Sequence, residues 1–453
     1  MSKRIVICCD GTWNEPEKMK EGRHIPTNVV KLVRAIEPRD EARGIDQVVY
    51  YGRGVGTGAF GYVDKYLGGG TGLGISRNIR EAYQFLALNY VEGDEVFCFG
   101  FSRGAYTARC LVGMLDAAGL LDKNDLDRLP DAYAYYRTPP EKRVAGKYHL
   151  RLIDLPRLRP KIKFLGVWDT VGALGAPTPM LGAISKKLWV GFHDAALSSL
   201  VENACQALVV DERRGPFTPA LWDWRSGQKK VRQVWFAGVH SNIGGGYPDS
   251  GLSDLALLWM VDRAREEGLV FDDKYLGDGK RVNPQFTGKL EDSFSLGYRF
   301  LQALRVKPYL RPIGQFLDMG EMVHESVIKR LLHPHLDYRP ENIVASGQDP
   351  GTLIDQESAR PTLRIGEMLV PIFRERRAVR RDLGAEPATL VLGDNVAVPC
   401  QVSNYSDAGG VMLAVPQPVE PGTEGILEYG QIGRHKICVV WRRENTIGVK
   451  FAA

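Results

Sequence analysis

A serine between two glycines, placed where an apolar strand gives way to a helix, constrains the fold of this chain more than any other feature. Val96–Phe101 is rich in β-branched and aromatic residues, and the apolar spacing of Ala105–Leu121 predicts a helix. In Gly100-Phe-Ser-Arg-Gly104, the glycines let strand and helix approach closely. The pattern is weak by itself and stronger in this context. It predicts a nucleophile elbow, with Ser102 as the nucleophile and the amide of Arg103 facing an oxyanion.

Strand and helix patterns alternate on both sides of this turn. The predicted strands are Arg4–Cys9, Gln47–Tyr51, Val96–Phe101, Lys161–Trp168 and Val231–Val239, and the predicted helices are Asn28–Ile36, Ile79–Tyr90, Ala105–Leu121 and Ala195–Val210. Such alternation predicts an α/β fold, in which a parallel sheet carries helices on both faces. The charged stretch Asp122–Lys161 is predicted to be an insertion over the sheet, and the sequence leaves open whether it acts as a lid.

Three residues of complementary chemistry follow three of the predicted strands. Ser102, Asp169 and His240 occur in the order that α/β-hydrolases use, and parallel strands bring their carboxyl ends to one edge. An imidazole can take the serine proton and return it to the leaving group, while a carboxylate fixes the imidazole tautomer. Taken alone, Asp169 is better explained as a helix N-cap, and His240 is also explained as a core histidine. Jointly, the three strand-end positions favour a catalytic triad.

Other signals for ligands are weak in this sequence. A net charge of +5 over 453 residues is too small to indicate nucleic acid, and the five arginines between Arg374 and Arg381 form a local cluster. The glycines of 52–74 match neither GxxxxGK[ST] nor a GxGxxG that opens a helix. His333-Pro-His335 is too short to indicate a metal site. We therefore predict no metal and no cofactor required for catalysis.

The cysteines and the amino-terminal sequence indicate the cellular compartment of the protein. Seven cysteines lie mostly in apolar runs without metal-ligand spacing, which suits a reducing cytoplasm. A strand that starts at Arg4 leaves no room for a signal peptide, and no apolar run approaches the about 18 residues of a membrane helix. We predict a cytoplasmic protein without a transmembrane segment, whose export would need a signal-independent system. Peripheral membrane contact is compatible with this prediction.

Several short motifs together resemble one family. They are Asp10-Gly-Thr-Trp-Asn14, Gly100-Phe-Ser-Arg-Gly-Ala105, Gly166-Val-Trp-Asp-Thr-Val171, Asp211-Glu-Arg-Arg214, Trp235-Phe-Ala-Gly-Val-His-Ser-Asn-Ile-Gly-Gly-Gly246 and Tyr338-Arg-Pro-Glu-Asn342. In combination they make about residues 1–345 similar to the α/β-hydrolase domain family that includes the first class of type VI secretion phospholipase effectors.

The resemblance implies roles for particular residues. The family's serine, aspartate and histidine fall on Ser102, Asp169 and His240. The loop Asp10-Gly11-Thr12 takes the place where such hydrolases keep their second oxyanion donor. Several members of the family act on phospholipids or other esters, so the resemblance implies an ester or a phospholipid as substrate. A shared fold does not decide between these substrates.

Beyond Asn342 the sequence changes character. Val344–Arg364 is rich in Gly, Ser, Asp and Pro without periodicity, which predicts a linker. Short strand-like runs then follow at Thr389–Leu392, Val396–Ser403, Val411–Val415, Gly425–Tyr429, Lys436–Trp441 and Ile447–Phe451. This spacing predicts a small antiparallel β-barrel. The predicted domains are a hydrolase domain over 1–345, a linker over 346–372 and a barrel domain over 373–453.

The carboxyl-terminal segment resembles a PilZ domain, the bacterial receptor module for cyclic di-GMP. Asn404-Tyr-Ser-Asp-Ala-Gly409 matches the motif (D/N)xSxxG, and an RxxxR pair precedes the first barrel strand. Arg376 with Arg380 and Arg377 with Arg381 are alternative registers of that pair, and the distance to the first strand favours the second. The resemblance implies cyclic di-GMP as a regulatory ligand. The residues that it implies as ligand contacts are Arg377, Arg381, Asn404, Ser406 and Gly409.

These observations predict a serine ester hydrolase of the lipase or phospholipase kind, with a carboxyl-terminal domain that senses cyclic di-GMP. The alternative is a non-catalytic signalling adaptor that keeps the hydrolase scaffold as a binding surface. The intact set of Ser102, Asp169 and His240 argues against the adaptor. A secreted antibacterial toxin is disfavoured, because a receptor for a cytoplasmic second messenger has little use outside the producing cell.

Overall fold

The computed structural model describes two compact units, Met1–Phe271 with Pro284–Phe373 and Asp272–Asn283 with Arg374–Ala453. The residues it describes are 2–11, 17, 19–20, 22–54, 72–143, 146–171, 197–222, 230–293, 308–355, 361–374, 380–392, 396–406, 410–416, 419–429, 433–443 and 446–451.

The first unit is built on an eleven-stranded sheet. Its strands are β1 (Arg4–Cys9), β2 (Arg39–Asp40), β3 (Ile45–Gly52), β4 (Glu95–Phe101), β5 (Ile162–Trp168), β6 (Asn203–Val209), β7 (Lys230–Phe236), β8 (Glu321–His324), β9 (Ile354–Asp355), β10 (Thr362–Ile365) and β11 (Met368–Phe373). Their order across the sheet is β9-β10-β11-β8-β7-β6-β5-β4-β1-β3-β2. Pairing is parallel from β11 to β3 and antiparallel only at the two edges.

The central strands are buried on both faces. Every residue of β1 and of β6 is buried, and in β4 only Glu95 is partly exposed. Strands with helices on both sides face no solvent, so their sequences are mostly apolar and do not alternate. This burial explains why the strand positions could be predicted from apolar runs.

Helices connect the parallel strands. They are α1 (Asn28–Ala35), α2 (Gly72–Asn89), α3 (Arg103–Ala118), α4 (Leu129–Arg137), α5 (Pro140–Arg143), α6 (Lys147–Leu152), α7 (His240–Gly244), α8 (Gly251–Glu266), α9 (Asp273–Gly277) and α10 (Glu325–Leu331). Short 3₁₀ turns lie at Lys123–Arg128, Gly215–Phe217, Leu317–Met319 and Pro350–Leu353. Two-residue strand pairs join Met19–Lys20 to Arg23–His24 and Leu120–Leu121 to Arg157–Leu158.

Helices cover both faces of the large sheet. On one face, Ile5 and Ile7 of β1 pack in one hydrophobic cluster with α2 and α3. On the other face, the indole Nε1 of Trp168 donates a hydrogen bond to the carbonyl of Ala256 in α8, at 3.2 Å. Lys31 of α1 and Asp254 of α8 form an ion pair of 2.6 Å. The predicted mixed α/β architecture, with a large and mostly parallel sheet, is confirmed.

The helix predicted over Ala195–Val210 is wrong in its described part. Residues Asn203–Val209 form β6, which lies between β5 and β7, and all of its side chains are buried. A strand buried on both faces shows no alternation of polar and apolar residues. Its apolar spacing therefore cannot be distinguished from that of a buried helix.

The stretch Asp122–Lys161 packs on the helical layer rather than directly on the sheet. Leu129, Ala132 and Tyr136 of α4 are buried in the same cluster as α3. The hydroxyls of Tyr133 and Ser76, the latter in α2, are hydrogen-bonded at 2.8 Å. The described part of this stretch therefore thickens the layer formed by α2 and α3.

Residues 346–372, for which the sequence predicts a linker, include strands of the large sheet. The hairpin of β10 and β11 extends the sheet beyond β8. Leu363, Val370 and Ile372 face a hydrophobic cluster that also contains Trp235. The glycine and proline content suggested an irregular chain, but alternating apolar residues in two short runs provide enough buried surface to hold both strands.

The second unit contains a closed antiparallel barrel of six strands. Its strands are β12 (Arg380–Leu392), β13 (Val396–Ser406), β14 (Gly410–Ala414), β15 (Glu424–Tyr429), β16 (Gly433–Arg443) and β17 (Thr446–Phe451). They follow the order β12-β13-β14-β17-β16-β15, and β15 pairs with β12 to close the ring. Alternate residues such as Leu390, Val402, Leu427 and Ile437 form its core. Helix α9 belongs to this unit.

In the described ranges, no helix is a candidate for a membrane-spanning segment. None of the helices there has both the length and the apolar character needed to cross a bilayer.

Candidate active site

Ser102 lies at the turn between β4 and α3 with a strained backbone. Its φ is 58° and its ψ is −121°, a conformation that residues with a Cβ rarely adopt. Among the described residues, the others with a positive φ that are not glycine are Asp169 and Asp337. Two of the three strained positions are therefore residues that the sequence predicted as catalytic, and backbone strain of this kind concentrates at functional sites.

Close packing around the turn explains the two glycines of the motif. A Cβ at Gly104 would lie 2.1 Å from the carbonyl oxygen of Cys9, and one at Gly100 would lie 2.5 Å from the carbonyl oxygen of Gly104. Both obstacles are backbone atoms that cannot rotate away. Strand β1, strand β4 and the start of α3 therefore approach each other as closely as a nucleophile elbow requires.

Asp169 and His240 are in direct contact at the carboxyl ends of β5 and β7. The imidazole Nδ1 of His240 lies 2.6 Å from Oδ2 of Asp169. Asp169 is fully buried, whereas Ser102 and His240 retain 8% and 6% of their exposure. The acid is thus closed to solvent, while the serine and the histidine lie near the surface. This is the arrangement in which a carboxylate orients an imidazole.

The serine turn and the histidine are brought together by their neighbours. The amide of Ser102 donates to the carbonyl of Trp168, the residue before Asp169, at 3.0 Å. The ring of Phe101 lies 4.7 Å from that of His240, measured between centroids. Nε2 of His240 is buried without a hydrogen-bond partner in the described part of the chain. In serine hydrolases the corresponding imidazole nitrogen accepts the proton of the serine.

Arg311, which the sequence did not predict, completes the surroundings of Asp169. Its Nη1 donates to Oδ1 of Asp169 at 2.6 Å and its Nη2 donates to Oδ2 at 3.1 Å. Burial alone raises the pKa of Asp169, but the charge of Arg311 and the hydrogen bonds from His240 and Arg311 outweigh burial and lower this pKa to about 2. Asp169 is therefore ionised at neutral pH despite being inaccessible to water.

The motif Asp211-Glu-Arg-Arg214 supports the histidine. Oε2 of Glu212 accepts the amide hydrogen of His240 at 3.3 Å, and both carboxylate oxygens of Glu212 accept hydrogen bonds from the guanidinium of Arg214. The guanidinium of Arg214 lies 3.7 Å from the ring centroid of Phe217, and that ring packs edge-on against the imidazole of His240. The sequence alone indicated no role for this motif beyond the resemblance, and its contacts with His240 and Phe217 explain why it accompanies the histidine.

Asp211 holds the loop between β7 and His240. Its Oδ2 accepts hydrogen bonds from the amide of Gly238 at 2.7 Å and from the hydroxyl of Tyr338 at 2.8 Å. Burial raises the pKa of Asp211 to about 6, against the opposing effect of these two hydrogen bonds. The side chain is a structural brace of the His240 loop, with a carboxyl that titrates near neutral pH.

The loop after β1 lies beside the elbow and is tied down by its own aspartate. Oδ1 of Asp10 accepts the amide hydrogen of Gly11 at 2.6 Å, and Oδ2 accepts the hydroxyls of Thr27 and Tyr51 at 2.7 and 2.9 Å. The Gly11 amide is therefore hydrogen-bonded within its own loop. Thr12, the other predicted donor of this loop, lies outside the described residues.

Arg103, predicted to supply the other oxyanion donor, is the first residue of α3. The N–H groups of a helix's first turn point out of its amino terminus because they have no acceptor within the helix. The backbone of Arg103 therefore faces the edge of the sheet at which Ser102 lies.

The residues predicted to bind cyclic di-GMP lie mostly at the limits of the described chain. Arg377 and Gly409 lie outside it, and of Arg381, Asn404 and Ser406 the structure describes only the backbone. Strand β12 begins at Arg380, nine residues before the predicted first barrel strand, and pairs with β13. In that pairing Arg380 is opposite Ser406, Arg381 opposite Tyr405 and Asp382 opposite Asn404. The pairing brings part of each predicted motif together on adjacent strands.

A metal site is not evident in the described ranges, where no cluster of three or more His, Cys, Asp or Glu residues could hold an ion. The cysteines there are free thiols.

The sequence that forms this site matches a known protein family. Residues 3–263, more than half of the chain, match the family model described as T6SS phospholipase effector Tle1-like, catalytic domain. The match includes Ser102, Asp169 and His240 and ends before Arg311. A Tle1-like phospholipase catalytic domain is a lipase-like hydrolase domain, so the match agrees with the predicted class of activity.

Two further proteins are similar over parts of their length. The uncharacterized protein YEL023C of Saccharomyces cerevisiae is 27% identical over 245 residues, which cover 48% of this chain and 32% of the yeast protein. This chain therefore spans about a third of the length of that curated relative. A crystal structure of an uncharacterized protein from Pseudomonas aeruginosa is similar with a TM-score of 0.34 and 18% identity, covering 60% of this chain and 46% of that chain.

Proposed function

Because the chain belongs to the family of Tle1-like phospholipase effector catalytic domains, we propose that it hydrolyses an acyl ester with Ser102 as the nucleophile. In this proposal His240 is the general base and Asp169 orients it. The contact of 2.6 Å between His240 and Asp169 beside the strained Ser102 is the observation that carries the proposal. A histidine held by a buried carboxylate at the same sheet edge as an elbow serine is the arrangement of serine hydrolases.

The reaction follows from these positions. The hydroxyl oxygen of Ser102 attacks the acyl carbonyl carbon, and its proton passes to Nε2 of His240. Collapse of the tetrahedral intermediate breaks the bond to the alcohol, which takes the proton from Nε2 and leaves. A water molecule then attacks the acyl-serine by the same route and releases the fatty acid. Asp169 stays ionised throughout and stabilises the transient imidazolium.

The oxyanion of the intermediate needs hydrogen-bond donors. The amide of Arg103 at the start of α3 is the first that we propose, since it directly follows the nucleophile. The loop Asp10-Gly11-Thr12 provides the second donor. Because the Gly11 amide is bonded to Asp10, we assign this second donor to Thr12. Asp10 then contributes by shaping the loop.

The substrate that we propose is a phospholipid acyl ester, with simple carboxylic esters as weaker alternatives. Family membership supports this class, since the family is defined by a phospholipase catalytic domain. The competing proposal of a non-catalytic adaptor predicts that the protein binds such a lipid without turnover. The buried and charge-compensated Asp169 favours hydrolysis, because a pure binding surface has no use for an ionised carboxylate that solvent does not reach.

A second function concerns the barrel, for which we propose a regulatory site for cyclic di-GMP. The pairing of the start of β12 with the end of β13 supports it, because Arg381 of the arginine pair and residues of the Asn404–Gly409 motif become neighbours. Arginine can donate two parallel hydrogen bonds to a phosphate or to a guanine edge. This proposal also supports the predicted cytoplasmic location, where such a ligand is made.

One experiment tests the proposed hydrolase directly. Purified protein is incubated with phospholipid vesicles and with short-chain nitrophenyl esters, and free fatty acid or nitrophenol is measured. We expect catalytic turnover with both and a higher rate with phospholipid. Saturable lipid binding without any product would favour the adaptor instead.

A further inference from the structure

Arg311 is buried as deeply as any charged residue of this protein that the structure describes, since its exposed fraction is 0%. Besides Asp169, its guanidinium donates to the carbonyl oxygens of Val209 and Phe217. Val209 ends β6, and Phe217 contacts the ring of His240. Arg311 therefore connects three segments around the His240–Asp169 pair.

The backbone that carries Arg311 is held by other buried groups. Nδ2 of Asn342 donates to the carbonyl oxygen of Arg311 at 3.1 Å. The carboxylate of Glu321, which is fully buried, accepts the amide hydrogens of Gly314 at 2.6 Å and of Phe316 at 2.7 Å. Residues 308–316 contain neither helix nor strand, so these contacts fix a segment that has no regular hydrogen bonding of its own.

Stability alone is a poor explanation for such an arrangement. Removing a guanidinium and a carboxylate from water is costly, and their attraction can be smaller than this cost. Replacing a buried pair by apolar residues of the same volume is often neutral or stabilising. The ion pair between Arg311 and Asp169 is therefore better explained by what it does to Asp169.

Both oxygens of Asp169 are occupied in a defined way. Oδ1 receives Nη1 of Arg311, and Oδ2 receives Nδ1 of His240 together with Nη2 of Arg311. The carboxylate consequently cannot rotate without losing at least two charge-assisted hydrogen bonds. A fixed carboxylate fixes the plane and the tautomer of the imidazole that it contacts.

We infer that Arg311 is a positioning residue of the hydrolytic reaction, which orients the carboxylate of Asp169 and, through it, the imidazole of His240. This inference rests on the proposed function. Arg311 touches no reacting atom and acts through Asp169. Burial raises the pKa of Asp169, and the positive charge of Arg311 is the largest effect that lowers it. Without this charge we expect Asp169 to become protonated at a higher pH, so the acidic limb of the pH–rate profile moves upward.

Two other charged side chains lie near the imidazole of His240. Glu212 contacts the amide of His240, and Arg214 pairs with Glu212 and stacks on Phe217. These two opposite charges are next to each other, so their effects on His240 largely cancel. Arg311, in contrast, pairs with Asp169, the carboxylate that contacts the imidazole directly.

The test compares the native protein with Arg311→Met and Arg311→Lys. The readouts are kcat and KM for a nitrophenyl ester, and the rate at which a fluorophosphonate labels Ser102, each between pH 5 and 9. Methionine keeps much of the volume and removes the charge. We expect Arg311→Met to lower kcat on the order of 10^2 or more with little change in KM, and to move the acidic limb of both profiles upward by about one pH unit.

Arg311→Lys separates charge from geometry. Lysine keeps the positive charge but cannot donate to both carboxylate oxygens in the same plane. We expect its acidic limb to stay at the native pH while its plateau kcat falls about tenfold or more. Arg4→Met is the matched control, because Arg4 is similarly buried and pairs with Asp40 at 2.9 Å, far from the site at the other end of β1. It should lower the melting temperature without moving the pH profile.

The results that would overturn the role of Arg311 differ from those that would overturn the proposed hydrolysis. A folded Arg311→Met protein with a native acidic limb, or an Arg311→Lys protein with native kcat, would overturn the role of Arg311. If Arg311→Met does not fold, the Arg311→Lys result decides alone. A native protein that neither turns over esters nor is labelled at Ser102 would instead overturn the proposed hydrolysis.

Discussion

His240 and Asp169 are 71 residues apart in the chain, and yet Nδ1 of the histidine lies 2.6 Å from Oδ2 of the aspartate. Strands β5 and β7 bring them together because both run parallel in one sheet and end at the same edge. The amide of Ser102 at the end of the adjacent β4 donates to Trp168, one residue before this aspartate. This relationship underlies the predictions that follow.

The first prediction concerns the pair itself. We expect His240→Ala to lower kcat on the order of 10^6, because a triad serine and histidine act as a unit. Asp169→Asn should lower kcat by about 10^4, since an amide stabilises the wrong imidazole tautomer. His335→Ala, at an exposed histidine outside the site, is the control and should keep native kcat. Either site variant retaining activity within about tenfold, which is ~1.4 kcal/mol of barrier, would refute the assigned role.

The second prediction concerns the elbow. In Gly104→Ala the new Cβ would lie 2.1 Å from a carbonyl oxygen of β1, so strand or helix has to shift. We expect a loss of about 1–3 kcal/mol in the free energy of unfolding and a fall in kcat of about 10^2. Gly113→Ala in the same helix is the matched control, because its nearest obstacle is the ring of Tyr136 at 3.3 Å. Urea unfolding measures the free energy of unfolding, and ester hydrolysis measures kcat. Equal effects of Gly104→Ala and Gly113→Ala on these quantities would contradict the close approach of β1 to α3.

The third prediction follows from the carboxyl of Asp211. Its pKa rises from 3.8 to about 6 on folding, so the folded protein binds this proton more tightly than the unfolded chain. The resulting stabilisation is fully present below about pH 3.8 and is lost as the pH rises through about 6. Asparagine mimics the protonated carboxyl. We therefore compare the change in the free energy of unfolding that Asp211→Asn causes at two pH values. We expect this change to be about 1–2 kcal/mol more stabilising at pH 7.5 than at pH 4.

Urea unfolding at both pH values checks this sign. The exposed Asp127→Asn serves as the control and should have the same small effect at both pH values. If Asp211→Asn changes the unfolding free energy equally at pH 4 and pH 7.5, the raised pKa is refuted.

The fourth prediction concerns the barrel. We expect the full-length protein to release or absorb heat on titration with cyclic di-GMP at tens of micromolar, and Arg377→Ala/Arg381→Ala to abolish this signal. Arg374→Ala, in the same basic cluster but outside the RxxxR pair, should bind as the native protein does. Equal binding by the double variant would reject the site. An ester hydrolysis rate that is the same with and without saturating ligand would reject the coupling alone, because regulation requires different affinities for two states.

Several features of the fold and of the site were accessible from the sequence. Apolar runs predicted β1, β4 and β5 because buried parallel strands need apolar residues on both faces. The chain order of Ser102, Asp169 and His240 was informative because each follows a strand, and parallel strands end at one edge. Strand β6 was mistaken for a helix, since a strand buried on both faces shows no alternation of polar and apolar residues.

Arg311 could not be predicted for a different reason. It lies 142 residues from Asp169 in a segment without helix or strand, where no periodicity indicates which way a side chain points. The prolines around it, Pro308 and Pro312, suggest only an extended chain. Its position depends on tertiary contacts that a local pattern does not contain, namely the hydrogen bond from Asn342 to its own carbonyl and that from the amide of nearby Gly314 to Glu321.

The central claim is that Ser102 is the nucleophile of a phospholipid hydrolase, and the most direct measurement follows fatty acid release from phospholipid vesicles by native and Ser102→Ala protein. We predict continuous release by the native protein and a loss on the order of 10^6, to background, in the variant. Mass spectrometry should also find a fluorophosphonate adduct on Ser102 of the native protein. A folded Ser102→Ala protein that releases fatty acid within tenfold of the native rate would contradict the claim.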